Sequence, residues 1–166
     1  DTNDVFYKEN FGQKVKGYKY YNMLLQSYSN NREKAIRSFL QAYLACVAFV
    51  DEQIGRVVAA VENSSFSKNT IIIFTSDHGW QMGQKEYLYK NSPWEESTKI
   101  PMIIKTPQKQ IGEVLEPVSL IDIYPTFIDL CKLQKTSSES NLELDGNSLH
   151  PLLEKPNSKT WAGSDG

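Results

Sequence analysis

The stretch NTIIIFTSDHGWQMGQKEYLYKNSPWEESTKIPMIIKTP, Asn69 to Pro107, decides the fold. It opens on an unbroken apolar run, Ile71-Ile72-Ile73-Phe74, and turns sharply polar at Thr75-Ser76-Asp77-His78-Gly79. A polar loop carrying Lys85, Glu86 and Lys90 follows. A second apolar run, Ile100 to Ile104, is interrupted only by Pro101. An Ile/Phe run bounded by turn residues suits a strand buried on both faces, and such strands belong to parallel sheets covered by helices. In open α/β sheets, ligands gather at the carboxyl ends of the strands. Asp77 and His78 stand at that end. A carboxylate beside an imidazole is a pair suited to metal ligation or proton transfer. Gly79 lets the backbone turn at once without a Cβ clash.

Upstream, the spacing predicts a long helix from Asn31 to Asn63. Asn30 or Asn31 can cap it, with Glu33 in the first turn. Ile36, Phe39, Leu40, Tyr43, Leu44, Val47, Val50, Ile54, Val57, Val58 and Val61 recur in steps of three and four, marking one face. Ala42 to Val50 is apolar nearly all round, which predicts cover on two sides. Gly55 costs about 1 kcal/mol against Ala inside a helix, so a close contact or a break is expected there. Asp51 or Glu52 can pair with Arg56 across a turn. Helix, short loop and buried strand make half of a βαβ unit. Residues 1 to 30 are rich in Asn, Lys and Tyr, and their tyrosines show no clean period. They read as an irregular segment, with at most a short helix, that packs its tyrosines on the neighbouring body.

Downstream, Ile100 to Lys105 reads as a second strand, with Pro101 at its start, where a missing N–H costs least. Ser119-Leu120-Ile121-Asp122 has the form of a capping box. Ile123, Phe127, Leu130 and Leu133 continue at helical spacing, and Pro125 fits only a first turn. Residues 134 to 143 read as a polar loop. Asp145-Gly146 is a turn, Ser148 to Leu153 a short helix, and His150 a structural residue.

The chain has 166 residues, 40% of them hydrophobic and 23% charged, with net charge −2. That is ordinary globular chemistry, with no basic field for nucleic acid. No apolar run approaches the ~20 residues of a membrane span. Cys46 and Cys131 sit in apolar periodic segments and read as two buried thiols rather than a disulfide framework.

The segment SDHGWQMGQKEYLYKNSPWEESTKIPMI resembles the sulfatases of the alkaline-phosphatase superfamily, most closely the iduronate-2-sulfatase group. The run QAYLACVAFVDEQIGRVVAAVENSSFSKNTIIIFTSDHGW is similar throughout, and SLIDIYPTFIDLCKL followed by LDGNSLHPLL resembles what sulfatases carry next. The match covers Ala35 to Leu153. DHG also occurs in zinc phosphodiesterases and phosphoglycerate mutases. The ordered set of DHG, Lys90 before Trp94-Glu95, the strand, DIYPT and the DG-x-SL pattern is far more specific.

This resemblance implies an α/β fold: an alkaline-phosphatase-like sheet covered by helices on both faces, of which residues 31 to 166 are a fragment truncated at both ends. It implies that Asp77 and His78 ligate a calcium ion. On the donor pair alone zinc competes, and the resemblance is what favours calcium. It also implies that Lys90 contacts the sulfate oxygens, where an ammonium can stabilise a dianionic transition state. The implied activity is hydrolysis of sulfate esters, a sulfated carbohydrate among them, in a secreted, periplasmic or lysosomal enzyme. A phosphate or phosphonate ester hydrolase of the same superfamily, or a non-catalytic binder, are the alternatives.

Three departures stand out. Lys85 replaces a His that many relatives carry, and Lys99 replaces a frequent Arg. The nucleophile motif C-x-P-x-R, whose cysteine (less often a serine) becomes formylglycine, is not here: Cys46 precedes Val-Ala-Phe-Val, Cys131 precedes Lys-Leu-Gln-Lys, and no Ser-x-Pro-x-Arg occurs. The first metal-binding aspartate pair is missing as well. The isolated chain is therefore expected to be inactive.

Overall fold

The computed structural model describes residues 15–108, 111–134, 144–156, 161 and 163. Most of the expected polar loop at 134–143 and most of the tail from Ser158 lie outside the described residues. The elements run α1 (Lys16–Ser27), α2 (Arg32–Glu62), β1 (Ile72–Thr75), β2 (Gln81–Met82), β3 (Leu88–Tyr89), α3 (Glu95–Thr98), β4 (Met102–Lys105), α4 (Ile123–Leu130) and α5 (His150–Glu154). Short 3₁₀ turns occupy Gln84–Glu86 and Leu120–Asp122. The chain forms two compact units, Asp1–Pro107 and Gln108–Gly166.

In the first unit, α2 begins and ends where local chemistry dictates. Lys34 N–H donates to the Asn31 side chain at 3.0 Å, satisfying one orphan donor of the first turn. At the other end the Asn63 side chain donates to the Ala59 carbonyl at 2.8 Å. The expected cover on two sides is not found among the described residues. Ala35 is the one buried residue of the helix, while Leu44 and Phe49 are 61% and 64% exposed. Helical period says which side chains share a face; it does not say what lies against that face. Cys46 is exposed on the same helix and Cys131 at the end of α4, so neither is the buried thiol expected. Arg56 bonds Gln53 at 3.0 Å rather than Asp51 or Glu52.

Gly55 neither kinks α2 nor seats a neighbour, since a Cβ there would meet nothing within 4 Å. Gly55→Ala should therefore stabilise the chain by about 0.5–1 kcal/mol, through lower backbone entropy in the unfolded state. Urea unfolding of the two proteins side by side measures this.

The β1 ladder corrects the expectation of a parallel strand buried on both faces. β1 pairs antiparallel with β4, in the register Ile72↔Lys105, Ile73↔Ile104, Phe74↔Ile103 and Thr75↔Met102. The intervening chain returns on itself, and β4 starts at the residue after Pro101, which has no N–H to give a ladder. Phe74 and Ile103, opposite each other, are 38% and 57% exposed, so one face of this two-stranded sheet is open among the described residues. Lys105 forms an ion pair with Glu62 and ties the end of α2 to β4.

β2 and β3 form a second antiparallel pair, Gln81↔Tyr89 and Met82↔Leu88. Its core includes Tyr87 and Leu88 against α1. Tyr18 and Tyr21 of α1 are buried, and the Tyr18 ring meets Tyr87 edge-on at 5.2 Å. Lys16–Ser27 is thus the one short helix allowed within the first thirty residues, and its tyrosines pack on the neighbouring body as expected. A 12-residue helix is marginal on its own. Packing on Tyr87 supplies what periodicity did not show.

In the second unit, the capping box forms as its spacing predicts. Asp122, 5% exposed, accepts from Ser119 N–H at 2.7 Å and from Asn147 N–H at 2.8 Å. Leu149 N–H donates to Thr126 Oγ1 at 2.9 Å. The DIYPT and DGNSL segments are thereby bonded to each other through buried polar groups. No described helix is long and apolar enough to cross a membrane.

Candidate cation and anion site

β1 delivers its last residue, Thr75, to the start of a tightly held turn. Ser76 Oγ donates to the His78 carbonyl at 2.8 Å. Gly79 N–H donates to the Ser97 carbonyl of α3 at 2.8 Å. A Cβ on residue 79 would collide with the Glu96 carbonyl oxygen and sit 2.9 Å from that of Lys99. Gly79 is therefore required by the closeness of α3, beyond the turn itself.

The β2–β3 hairpin carries Lys90 back to the same place. Lys90 Nζ lies 2.7 Å from His78 Nε2. On the other side of the ring, His78 Nδ1 lies 2.8 Å from the Gly79 carbonyl. A carbonyl can only accept, so Nδ1 carries the hydrogen and Nε2 presents its lone pair. Asp77 Oδ1 stands 3.6 Å from that same Nε2. The structure thus brings Asp77, His78 and Lys90 together, although His78 and Lys90 are 12 positions apart in sequence. His78 is 29% exposed and Asp77 82% exposed at the side chain, leaving the carboxylate open to whatever approaches.

An imidazole fixed as the Nδ1–H tautomer by a backbone carbonyl, with a carboxylate 3.6 Å from its Nε2, is a donor set that fits a divalent ion once that nitrogen exchanges its contact with the Lys90 ammonium for the ion. It is only part of a coordination shell. Calcium takes six to eight oxygens, and no group of three or more His, Cys, Asp or Glu that could hold a metal occurs among the described residues. The ammonium of Lys90 serves the opposite charge and can hold an anionic group against this corner.

Several residues around the site had gone unremarked in the sequence. Tyr89, immediately before Lys90, has φ 151°, and Gly83, Lys85 and Glu86 are also at positive φ. For a residue with a Cβ such a conformation is strained and persists only where surroundings over-determine it. The Tyr89 ring is held between Trp80 at 5.4 Å and Tyr20 at 5.5 Å, both edge-on. Tyr89→Gly should be more stable than Tyr89→Ala by about 1 kcal/mol or more, the reverse of the usual strand order. Thermal melts of the two variants decide it.

Lys85 Nζ sits over the Trp94 ring, 4.5 Å from its centroid, a cation–π contact that ties the hairpin turn to the residue before α3. Lys99 bonds Glu95 at 3.1 Å on the exposed side of α3. His150 lies in the second unit. It and Ser148 both bond to Asp129 Oδ2, at 3.1 and 2.7 Å. Each is spent on the carboxylate, so they do not form a nucleophile–base pair.

Comparison with known proteins bears on the family and the fold. The sulfatase family profile matches residues 7–133. A sulfatase of Formosa agariphila is 44% identical over 99 residues, 59% of this chain and 20% of that protein. Arylsulfatase K of Danio rerio is 36% identical over 138 residues, 82% of this chain and 25% of that protein. Among solved structures, an enzyme in complex with its substrate D-glucosamine-2-N,6-O-disulfate superposes with TM-score 0.60 at 31% identity, covering 76% of this chain and 26% of that one. A phosphonate monoester hydrolase from Silicibacter pomeroyi gives TM-score 0.67 at 29% identity, over 76% of this chain and 24% of that one. The chain therefore spans about a quarter of the length of such relatives or less. These likenesses support the α/β, alkaline-phosphatase-like fold, and none of them singles out the iduronate-2-sulfatase group.

Proposed function

Since the chain belongs to the sulfatase family, we propose that the protein carrying it hydrolyses sulfate esters, with a sulfated carbohydrate as the substrate class. The observation that carries this reading is the meeting of Asp77, His78 and Lys90 at the end of β1. Asp77 and His78 would hold a divalent cation, calcium by family resemblance, which when bound supplies positive charge beside the sulfate. Lys90 directs its ammonium at the sulfate oxygens. As the ester bond lengthens its electron pair passes to the departing bridging oxygen, so a fixed cation within reach of that oxygen stabilises the transition state more than the ground state.

The nucleophile is not supplied by this chain, because neither cysteine lies in a C-x-P-x-R motif. Formylglycine, which provides the attacking oxygen in sulfatases, would come from sequence beyond these residues. A sulfated sugar as substrate is supported by the solved relative that binds D-glucosamine-2-N,6-O-disulfate. The likeness to a phosphonate monoester hydrolase favours a second reading, in which the same corner holds a phosphonate or phosphate ester.

Rates on 4-nitrophenyl sulfate, 4-nitrophenyl phosphate and a phenyl phosphonate monoester, measured on the full-length protein, test the choice. A clear preference in kcat/KM for the sulfate supports the first reading. Preference for a phosphorus ester overturns it in favour of the second. Turnover of none of them leaves a protein that binds without catalysis.

A further inference from the structure

Lysine is a flexible side chain, and an ammonium on a mobile loop would place its charge poorly. Here the chain on each side of Lys90 is held. Before it, Tyr89 is locked at φ 151° between two aromatic rings. After it, the Asn91 carbonyl accepts the Tyr87 hydroxyl at 2.6 Å, and Ser92 Oγ accepts from Gln81 Nε2 at 3.1 Å. Ser92 Oγ also lies 2.7 Å from Ser97 Oγ. The Ser97 carbonyl is the acceptor for Gly79 N–H, one residue after His78. Both halves of the Lys90–His78 contact are therefore anchored to one buried serine.

Tyr87 and Gln81 are fully buried, each 0% exposed. The Tyr87 ring lies so close to Gly17 of α1 that a Cβ there would overlap it. Gln81 keeps its amide inside although Oε1 has no hydrogen-bond partner among the described residues. A side chain chosen for packing alone would be apolar, so the amide is retained at a stability cost. What it secures is the bond to Ser92.

We infer that Tyr87 and Gln81 are positioning residues that fix the Lys90 ammonium where it meets the anionic group of the ester. This rests on the sulfate-ester reading of the site, and adds that Lys90 acts only as well as this buried clamp aims it. Misplacement of a charge by about 1 Å can cost a hundredfold in rate, while a hydroxyl removed from a packed ring leaves volume nearly unchanged.

Tyr87→Phe in the full-length protein should lower kcat by about ten- to a hundredfold with little change in KM. The same substitution in a Lys90→Ala background should change kcat by less than about twofold, because the group it aims is gone. Ser92→Ala should behave like Tyr87→Phe, and Ser92→Thr, which keeps the hydroxyl, should recover most of the rate. Independently of turnover, the His78 ring ¹⁵N shifts in protein freed of divalent ions report the Lys90 contact at Nε2. They should move in Tyr87→Phe and Ser92→Ala. If the shifts stay and the rate loss is the same with or without Lys90, the clamp is merely structural and the inference is overturned. If the parent protein cleaves no ester, the functional reading fails, while the ring shifts still decide whether the clamp aims Lys90.

Discussion

Replacing Lys90 by alanine in the full-length protein should lower kcat/KM for a sulfate ester by about 10²–10³-fold, the usual loss when one preorganised donor to a developing oxyanion is removed. The size follows from the setting. The ammonium is part-buried, stands 2.7 Å from His78 Nε2, and is carried on a hairpin whose conformation is fixed by neighbours rather than by its own preferences. Such a group needs no reorganisation at the moment of reaction. Lys90→Arg should not restore the rate, because a planar guanidinium does not occupy the place of a compact point charge. A variant within threefold of the parent on 4-nitrophenyl sulfate would remove Lys90 from the anion site. Since the hairpin core is formed by Tyr87, Leu88 and Gln81, folding should survive either substitution, and circular dichroism melts provide the control.

Asp77→Ala should abolish ester hydrolysis and lower the divalent cation retained after dialysis, read by elemental analysis of the purified protein. The carboxylate is 82% exposed at the side chain and stands 3.6 Å from an imidazole, so as an ion pair it contributes little to stability. The fold should therefore change by no more than about 0.5 kcal/mol, as for other surface substitutions. Loss of metal and turnover without loss of fold is the signature of a ligand. A lost fold would mark Asp77 as a structural turn residue, and retained metal with normal turnover would clear it of any role. His78 would keep its tautomer in this variant, because its bond from Nδ1 to the Gly79 carbonyl is independent of Asp77.

What could be read from the chain alone was read through short-range rules. The predicted helix from Asn31 to Asn63 forms as Arg32–Glu62, because a cap is a contact between residues three or four apart. The Ser119–Asp122 box closes for the same reason, and β4 begins after Pro101 because proline has no donor to give. Asp77 and His78 fall at the end of β1 because they are next to it in sequence.

Features that needed distant partners were not legible. Hydrophobic runs report the tendency to be buried, not the direction of the neighbouring strand, so β1 was expected parallel and is antiparallel to β4. The packing of the α1 tyrosines was not legible because Tyr18 meets Tyr87 and Tyr20 meets Tyr89, each 69 positions further on. The apolar positions of α2 share a face, yet Leu44, Val47 and Val57 on it are 61%, 47% and 65% exposed among the described residues. Lys90 could be picked by its motif spacing. Tyr89, Tyr87 and Gln81 could not, since their roles depend on a backbone twist and on hydroxyl and amide contacts that no periodicity encodes.

The amino-acid order by itself determined the ends of α2, the start of β4 and the Ser119–Asp122 box, and which acid, imidazole and ammonium were candidates, because caps, proline and adjacency act over one or two turns of chain. Only the tertiary structure decided that the hairpin bends Lys90 onto His78 and that Ser97 ties both sides of that contact. Those meetings come from packing between segments distant in sequence, where closeness is set by the fold as a whole.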